Sequence, residues 1–344
     1  MSKDPQTNRR EVLKSFTLGV AAASVSHAAG QSEIPYRTLG HTGVKVSCIG
    51  MGGYHLGKPD VSAADAIKLV HDRGINFLDN SWDYNKGESE KRVGKAVKEG
   101  NLRERVFLMT KNDGRTAEEF NKQLNESLTR LQTDQVDLIQ FHEIIRFEDP
   151  DRIFAQGGAA EAALAAKKAG KVRYIGFTGH KDPHIHLYML QVADRHGFVF
   201  DTVQMPVNVM DYHYRSFTNE VLPELVKRNI GVLGMKSIGD TVILKSGAVT
   251  ALECLQFSLS QPVSVQITGI DKPEVLDQAI KAAQTYDKVS KEEMAAILNR
   301  TKPQAVDGRW ELFKTSAIFD STAQHPEWLG STSPHVKKVQ PAMS

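Results

Sequence analysis

Asp79, Tyr84, Lys111 and His142 are the residues whose types and spacing could do chemistry. They stand in NFLDNSWDYNKGESEKRVGKAV, VFLMTKND and VDLIQFHE, each at the C-terminal end of a segment that reads as a β-strand or just after it. In a parallel α/β architecture the strand C-termini share one face, so residues distant in sequence but alike in strand position can meet. A tyrosine with an ordinary pKa of about 10 exchanges protons poorly near neutrality. An ammonium beside the phenol favours the phenolate, so Lys111 is expected to lower that pKa, Asp79 to hold the lysine and His142 to hydrogen-bond a substrate oxygen. A phenol so tuned can protonate a carbonyl oxygen as hydride reaches its carbon, or run the reverse.

Such a site needs a scaffold that brings strand ends together. Strand patterns recur at 46–52, 77–81, 106–111, 136–142, 172–178, 202–206, 231–236 and 265–270, with helical patterns between them. Ser62 opens one helix that ends before Gly74. Thr116 and Glu119 form a capping box ahead of Phe120, Leu124, Leu128 and Leu131, a single buried stripe, and AAEAALAAKKAG ends at Gly170. Uninterrupted β-α units predict an α/β fold closed into a (β/α)8 (TIM) barrel over 34–290, rather than a doubly wound sheet. Ahead of it YRTLGHTGVKVS alternates around His41, Thr42 and Gly43 and reads as a β-hairpin. The segment 291–344 begins with a helical EEMAAILNR and continues with Trp310, Phe313, Phe319 and Trp328 in no clear period. It is expected to be an extension packing on the outside of the barrel rather than a lid.

A net charge of +2, from 43 basic and 41 acidic residues, gives no field suited to nucleic acid. Cys48 and Cys254 lie in apolar contexts without metal-ligand spacing and read as buried thiols. Residues 1–30 read as a signal peptide: Arg9 and Arg10 precede Val12, Leu13 and Lys14, the apolar run FTLGVAAASVSHAAG follows, and Ser26, His27 and Ala28 offer a cleavage site. The pattern is close to a twin-arginine signal, so a periplasmic or exported location and the twin-arginine translocase as a partner are expected. That route carries folded proteins and suits an enzyme that acquires its nucleotide in the cytoplasm.

In type and order, the four residues resemble the catalytic tetrad of the aldo-keto reductases, with the five-residue step from Asp79 to Tyr84 and GESE just after it. The resemblance runs on through YRTLGHTGVKVSCIGMGG, GKVRYIGFTGH, VQMPVNV and GVLGMK and covers 34–283. It implies that the hairpin plugs the bottom of the barrel and that the cofactor is NADP or NAD. By the same resemblance Thr178, Gly179 and Gln204 hold the nicotinamide, while Gly52 and Gly53 let the first loop approach it. Met235, Lys236, Asp271 and Lys272 belong to the segments that contact pyrophosphate and adenosine. Tyr54 and Trp82 would line the substrate pocket, with Arg146 and His213 in the surrounding loops. The sequence departs from the family in two places. Thr178, Gly179 and His180 stand where many members have Ser-Asn, and Asp271 stands where a basic residue normally grips the 2′-phosphate of NADP. A carboxylate there would suit a ribose hydroxyl instead, unless Lys272 compensates or Asp271 merely caps a helix.

No metal is expected at HKDPHIH, because Pro183 reads as the first residue of a helix and would splay His184 from His186; His180 would line the cofactor groove. The resemblance thus implies a nicotinamide-dependent oxidoreductase of a small carbonyl, alcohol or sugar-like substrate. Two alternatives remain open: a sugar oxidoreductase that keeps and recycles its nucleotide, and a nucleotide-binding sensor without turnover. A metal-dependent barrel hydrolase is disfavoured by the lack of a strand-end His-x-His.

Overall fold

The computed structural model describes residues 34–331. The expected signal, 1–30, lies outside the described residues.

Two short strands, β1 (Tyr36–Thr38) and β2 (Lys45–Ser47), pair antiparallel as the hairpin. Eight parallel strands follow: β3 (Ile49–Gly52), β4 (Phe77–Asp79), β5 (Phe107–Asn112), β6 (Val136–Phe141), β7 (Val172–Thr178), β8 (Thr202–Pro206), β9 (Gly231–Met235) and β10 (Val265–Thr268). They close into a barrel in sequence order, with β10 pairing back onto β3. The strand expected over 46–52 is two strands. Its first part must pair antiparallel with β1 and its second must run parallel between β10 and β4, so the chain breaks between them. Ser47 marks the break: its N–H donates to Asn76 Oδ1 (2.8 Å), its Oγ accepts from the Asn76 N–H (3.1 Å), and its hydroxyl donates to the Ile49 carbonyl (2.7 Å).

Leu39 and Val46 from the hairpin pack inside the barrel with Phe77, Phe107, Met109, Leu138, Leu233, Val265 and Ile267. Phe77 and Phe107 stack with centroids 4.9 Å apart. The N-terminal part of the barrel interior is therefore filled with apolar side chains. Helices start where their sequence signals say. Ser62 accepts from the Asp65 N–H, Thr116 from the Glu119 N–H, and Asp182 caps the helix Pro183–Arg195 with Pro183 in its first turn.

The extension does not merely lie on the outside. After the helix Lys291–Thr301, residues 305–330 cross the C-terminal face of the barrel and bind the loops there. Trp328 packs edge-on against Trp82 after β4 (5.3 Å), the Leu329 carbonyl accepts from the Arg115 N–H after β5, and Glu143 after β6 accepts from the N–H groups of Ser321 and Thr322 (2.9 and 2.7 Å). Asp320 reaches His180 (2.9 Å) and Lys181 (2.7 Å) after β7, and Glu311 accepts from Asn208 Nδ2 after β8 (3.1 Å). The aromatics lacked a helical period because they serve several loops rather than one helix face. Buried Lys314 anchors this strap, donating to Asp211 (2.6 Å), the Tyr214 carbonyl (2.7 Å) and Glu311 (3.2 Å). Lys314→Met would leave two buried carboxylates without their cation and should cost roughly 3–5 kcal/mol. Urea denaturation measures the loss, and limited proteolysis should then cut first within 305–330; an unchanged midpoint and cleavage pattern would contradict the anchoring role.

Candidate active site

Strand register brings the four residues together. Asp79 ends β4 beside Gly52 of β3, Lys111 lies on β5 opposite Gln140, and His142 follows β6. Lys111 is 1% exposed and its three ammonium hydrogens have three acceptors: Asp79 Oδ1 at 2.5 Å, the Asn80 carbonyl at 2.8 Å and the Tyr84 phenol oxygen at 3.2 Å. Because Tyr84 accepts from Lys111, its own O–H is left to point elsewhere, and no described residue accepts it. The expected lowering of the phenol pKa does not occur. Burial pushes Tyr84 well above 10, and Asp79, Asp83, Glu143 and Asp113 add negative charge in the same direction. The group is therefore an acid in this site, not a phenolate. Burial likewise raises Asp79 despite the opposing pull of Lys111.

The loop carrying Tyr84 has an unusual backbone. Asn85 (φ 52°), Lys86 (φ 56°) and Gly87 (φ 84°) are all left-handed, which for the two non-glycine residues costs roughly 1–3 kcal/mol each. The GESE motif pins this turn. Ser89 donates to the Gly53 carbonyl (2.6 Å), and buried Glu90 accepts from Thr110 (2.6 Å) and Arg130 (3.3 Å).

His142 is 7% exposed. Its Nδ1 faces Asp113 Oδ1 (2.9 Å), Ser81 Oγ (3.3 Å) and Asp83 Oδ1 (3.5 Å), while its Nε2 has no partner among the described residues. Burial lowers its pKa, so the ring is neutral near pH 7. Buried Arg115 holds the same loop, donating to the carbonyls of His142 (2.8 Å) and Glu143 (2.9 Å) and to Asp149 (3.0 Å). Asp83, Asp113 and Arg115 were not anticipated from sequence. The available signal was position alone: Asp113 is two residues past Lys111 and Asp83 is next to Tyr84.

The other expected site residues fall into three groups. Some face the site: Tyr54 sets its ring perpendicular to that of Tyr84 (5.6 Å), and Trp82, bonded to Glu126 (2.8 Å), lies under Trp328. Thr178 and Gln204 are buried register partners on β7 and β8, and Gln204 Oε1 is buried without a hydrogen-bond donor. Some are tied to the fold or the strap. A Cβ on Gly53 would lie 2.4 Å from the Asp79 carbonyl, and one on Gly179 2.3 Å from that of Ile144, so loop packing requires glycine at both positions. His180 pairs with Asp320, and Arg146 reaches Asp149 and Thr322. Beside Met235 at the end of β9, Lys236 holds its ammonium 4.5 Å from the Phe319 ring and 5.3 Å from Phe313, and burial lowers its pKa to about 8. The rest stand apart. Asp271 does not cap the helix Pro273–Thr285, whose N-cap is the exposed Lys272, and instead lies 3.8 Å from His55. His213 pairs with Thr301 (3.2 Å). His184 is exposed while His186 is buried, splayed as Pro183 suggested.

A model described as the aldo/keto reductase family matches residues 48–251. Among curated proteins, L-galactose dehydrogenase of Arabidopsis thaliana is 31% identical over 63% of this chain and 69% of its own length. A 6-dehydroglucose reductase of Novosphingobium aromaticivorans is 35% identical over 41% of this chain, and only 50% of its own length is matched. Among solved structures, the holo form of an aldo-keto reductase from Bacillus halodurans superposes with TM-score 0.66 at 22% identity, covering 81% of this chain and all of that one, a likeness of fold.

Lys111→Met should destabilise the protein by roughly 3–5 kcal/mol, because it strands a buried carboxylate. Adding Asp79→Asn should recover much of that loss. Chemical denaturation of the single and double variants measures both; equal stability of the two would show that Asp79 does not depend on Lys111.

Proposed function

The chain belongs to the aldo/keto reductase family and is thereby a nicotinamide-dependent oxidoreductase of carbonyl and alcohol groups; from that premise we propose that its substrate is small and sugar-like, with Tyr84 exchanging the proton. The carrying observation is the hydrogen-bond count at Lys111. With the phenol oxygen occupied as an acceptor, the Tyr84 hydrogen is the one directed at a substrate oxygen. When Tyr84 donates it, the ammonium already in place stabilises the phenolate that forms, without rearrangement.

The residues present fit a nicotinamide nucleotide. Gln204 Oε1 is a buried acceptor in need of a donor, which a carboxamide N–H would supply, and Thr178 stands beside it. A nucleotide held there would supply hydride to the carbonyl carbon. Gln204 and Thr178 would orient the ring, and Lys236 and the backbone after β9 would meet the phosphates. Asp271, or Lys272 beside it, would meet the adenosine ribose, and this pair would set the choice between NAD and NADP. Tyr54 and Trp82 would wall the substrate space. The wide engagement of the strap with the loops at the barrel mouth supports a second reading, in which nucleotide stays bound and is recycled. Export through the twin-arginine translocase to the periplasm rests on Arg9, Arg10 and the apolar run after them, and a retained nucleotide would serve an enzyme outside the cytoplasm.

Tyr84→Phe should keep fold and nucleotide binding and lose on the order of 10²–10⁴-fold in kcat/KM. Turnover within about threefold of the parent would sink the assignment. Titrating tyrosinate absorbance of the parent against this variant should show no ionisation of Tyr84 below pH 10, in keeping with its raised pKa. Mass spectrometry of nucleotide released from native protein tests occupancy and NAD against NADP. Replacing Arg9 and Arg10 by lysine should leave precursor in the cytoplasm, and unchanged export would rule out the twin-arginine route.

A further inference from the structure

The lysines at the barrel mouth differ in what they donate to. Lys111 has Asp79, the Asn80 carbonyl and Tyr84; Lys181 has Asp320 and the Ser316 carbonyl; Lys314 has Asp211, Glu311 and the Tyr214 carbonyl. Lys236, just after β9, has no acceptor among the described residues and meets two ring faces of the strap, Phe319 at 4.5 Å and Phe313 at 5.3 Å. The carboxylates whose charge reaches it are engaged elsewhere or exposed. Glu143 accepts from the Ser321 and Thr322 N–H groups, Asp320 pairs with His180 and Lys181, and Asp240 is exposed. The two rings stand edge to face, 6.4 Å apart, and each adjoins an anchor of the strap: Phe313 precedes Lys314, and Phe319 precedes Asp320. Lys236 itself has a left-handed backbone (φ 58°), which glycine would adopt without cost. An aromatic face attracts a cation without taking its hydrogens as a lone pair does, so the ammonium is held while its donors stay uncommitted.

We propose that Phe313 and Phe319 are positioning residues that hold Lys236 as an uncommitted ammonium for a phosphate group of the nucleotide, which makes the strap a working part of the nucleotide site. This rests on the oxidoreductase reading and adds to it a role for the strap. The rings settle a long, flexible side chain before the ligand arrives, so its rotamer freedom is lost on folding rather than on binding. They also keep water from one side of the ammonium. A phosphate oxygen then meets a charge already placed and partly desolvated, where charge-assisted hydrogen bonds are strong. The strap need not touch the nucleotide to govern its affinity, because it acts through Lys236.

A double-mutant cycle on full-length protein tests the coupling, with dissociation constants for NADH and NADPH read from quenching of tryptophan fluorescence. Phe319→Leu should weaken the nucleotide that the parent binds by roughly 3–10-fold, and Phe319→Tyr, which keeps the ring, should bind as the parent does. Lys236→Met should weaken binding too. In that background Phe319→Leu should cost less than about twofold further, since a residue that acts through Lys236 has nothing left to act on. Additive losses, or unchanged affinity in Phe319→Leu, would overturn the proposal; a merely structural role for the ring predicts the additive result. Carbon-13 lysine spectra of the unliganded protein, assigned with Lys236→Met, give a second readout. Ring currents should place the Lys236 ε-methylene protons upfield of ordinary lysine, and Phe319→Leu should return them most of the way; an ordinary shift in the parent would refute the placement. If the parent binds neither nucleotide, the oxidoreductase reading falls and the phosphate role with it, whereas additive losses in a protein that binds nucleotide refute this proposal alone.

Discussion

The site depends on one buried ammonium with no hydrogen to spare. Lys111 sits on a barrel strand at 1% exposure, where an unpaired charge would be costly, and its three donors are satisfied by the last residue of β4 and by two points of the loop after it. Asp79 and Asn80 hold the start of that loop and Tyr84 holds its far side, so the lysine orders the loop as well as charging the site. The left-handed run at Asn85, Lys86 and Gly87 brings the chain back from Tyr84 into the following helix, and Ser89 and Glu90 fasten it there. Structure and reactivity share these contacts.

The same buried environment explains why the phenol is an acid. A lysine alone would lower the pKa of its neighbour, but here the cation arrives with its own counter-ion, and Asp83, Asp113 and Glu143 add to the negative side. Desolvation decides the balance, because it penalises phenolate far from water whatever the neighbours do. Proton donation then becomes favourable at the moment hydride transfer places negative charge on the substrate oxygen.

Most of the barrel was legible in the sequence, because strand and helix periods are local and some helix starts carry their own signal: Ser62 and Thr116 cap where their types suggest, and Pro183 stands in the first turn of its helix. The break at Ser47 was not legible, since it comes from two pairing partners competing for one continuous apolar run. Asp79, Tyr84, Lys111 and His142 could be read from order and spacing at strand ends. Asp113, Asp83 and Arg115 could not, because their roles depend on which side of a loop faces His142, a fact of tertiary structure that no periodicity records. At Gly53 and Gly179 a Cβ would meet the carbonyls of Asp79 and Ile144, a packing demand that residue type alone does not reveal. The extension escaped for a similar reason. Aromatics that each answer a different loop leave no pattern of their own.

The strap follows the barrel in chain order, and this fixes a sequence of events during synthesis. Every loop it binds must be in place before Asp320 can find His180 or Lys314 can close on Asp211, so the barrel completes first with its polar end uncovered. The contacts between the strap and the loops after β4 to β8 are therefore the last long-range contacts that the order of synthesis allows.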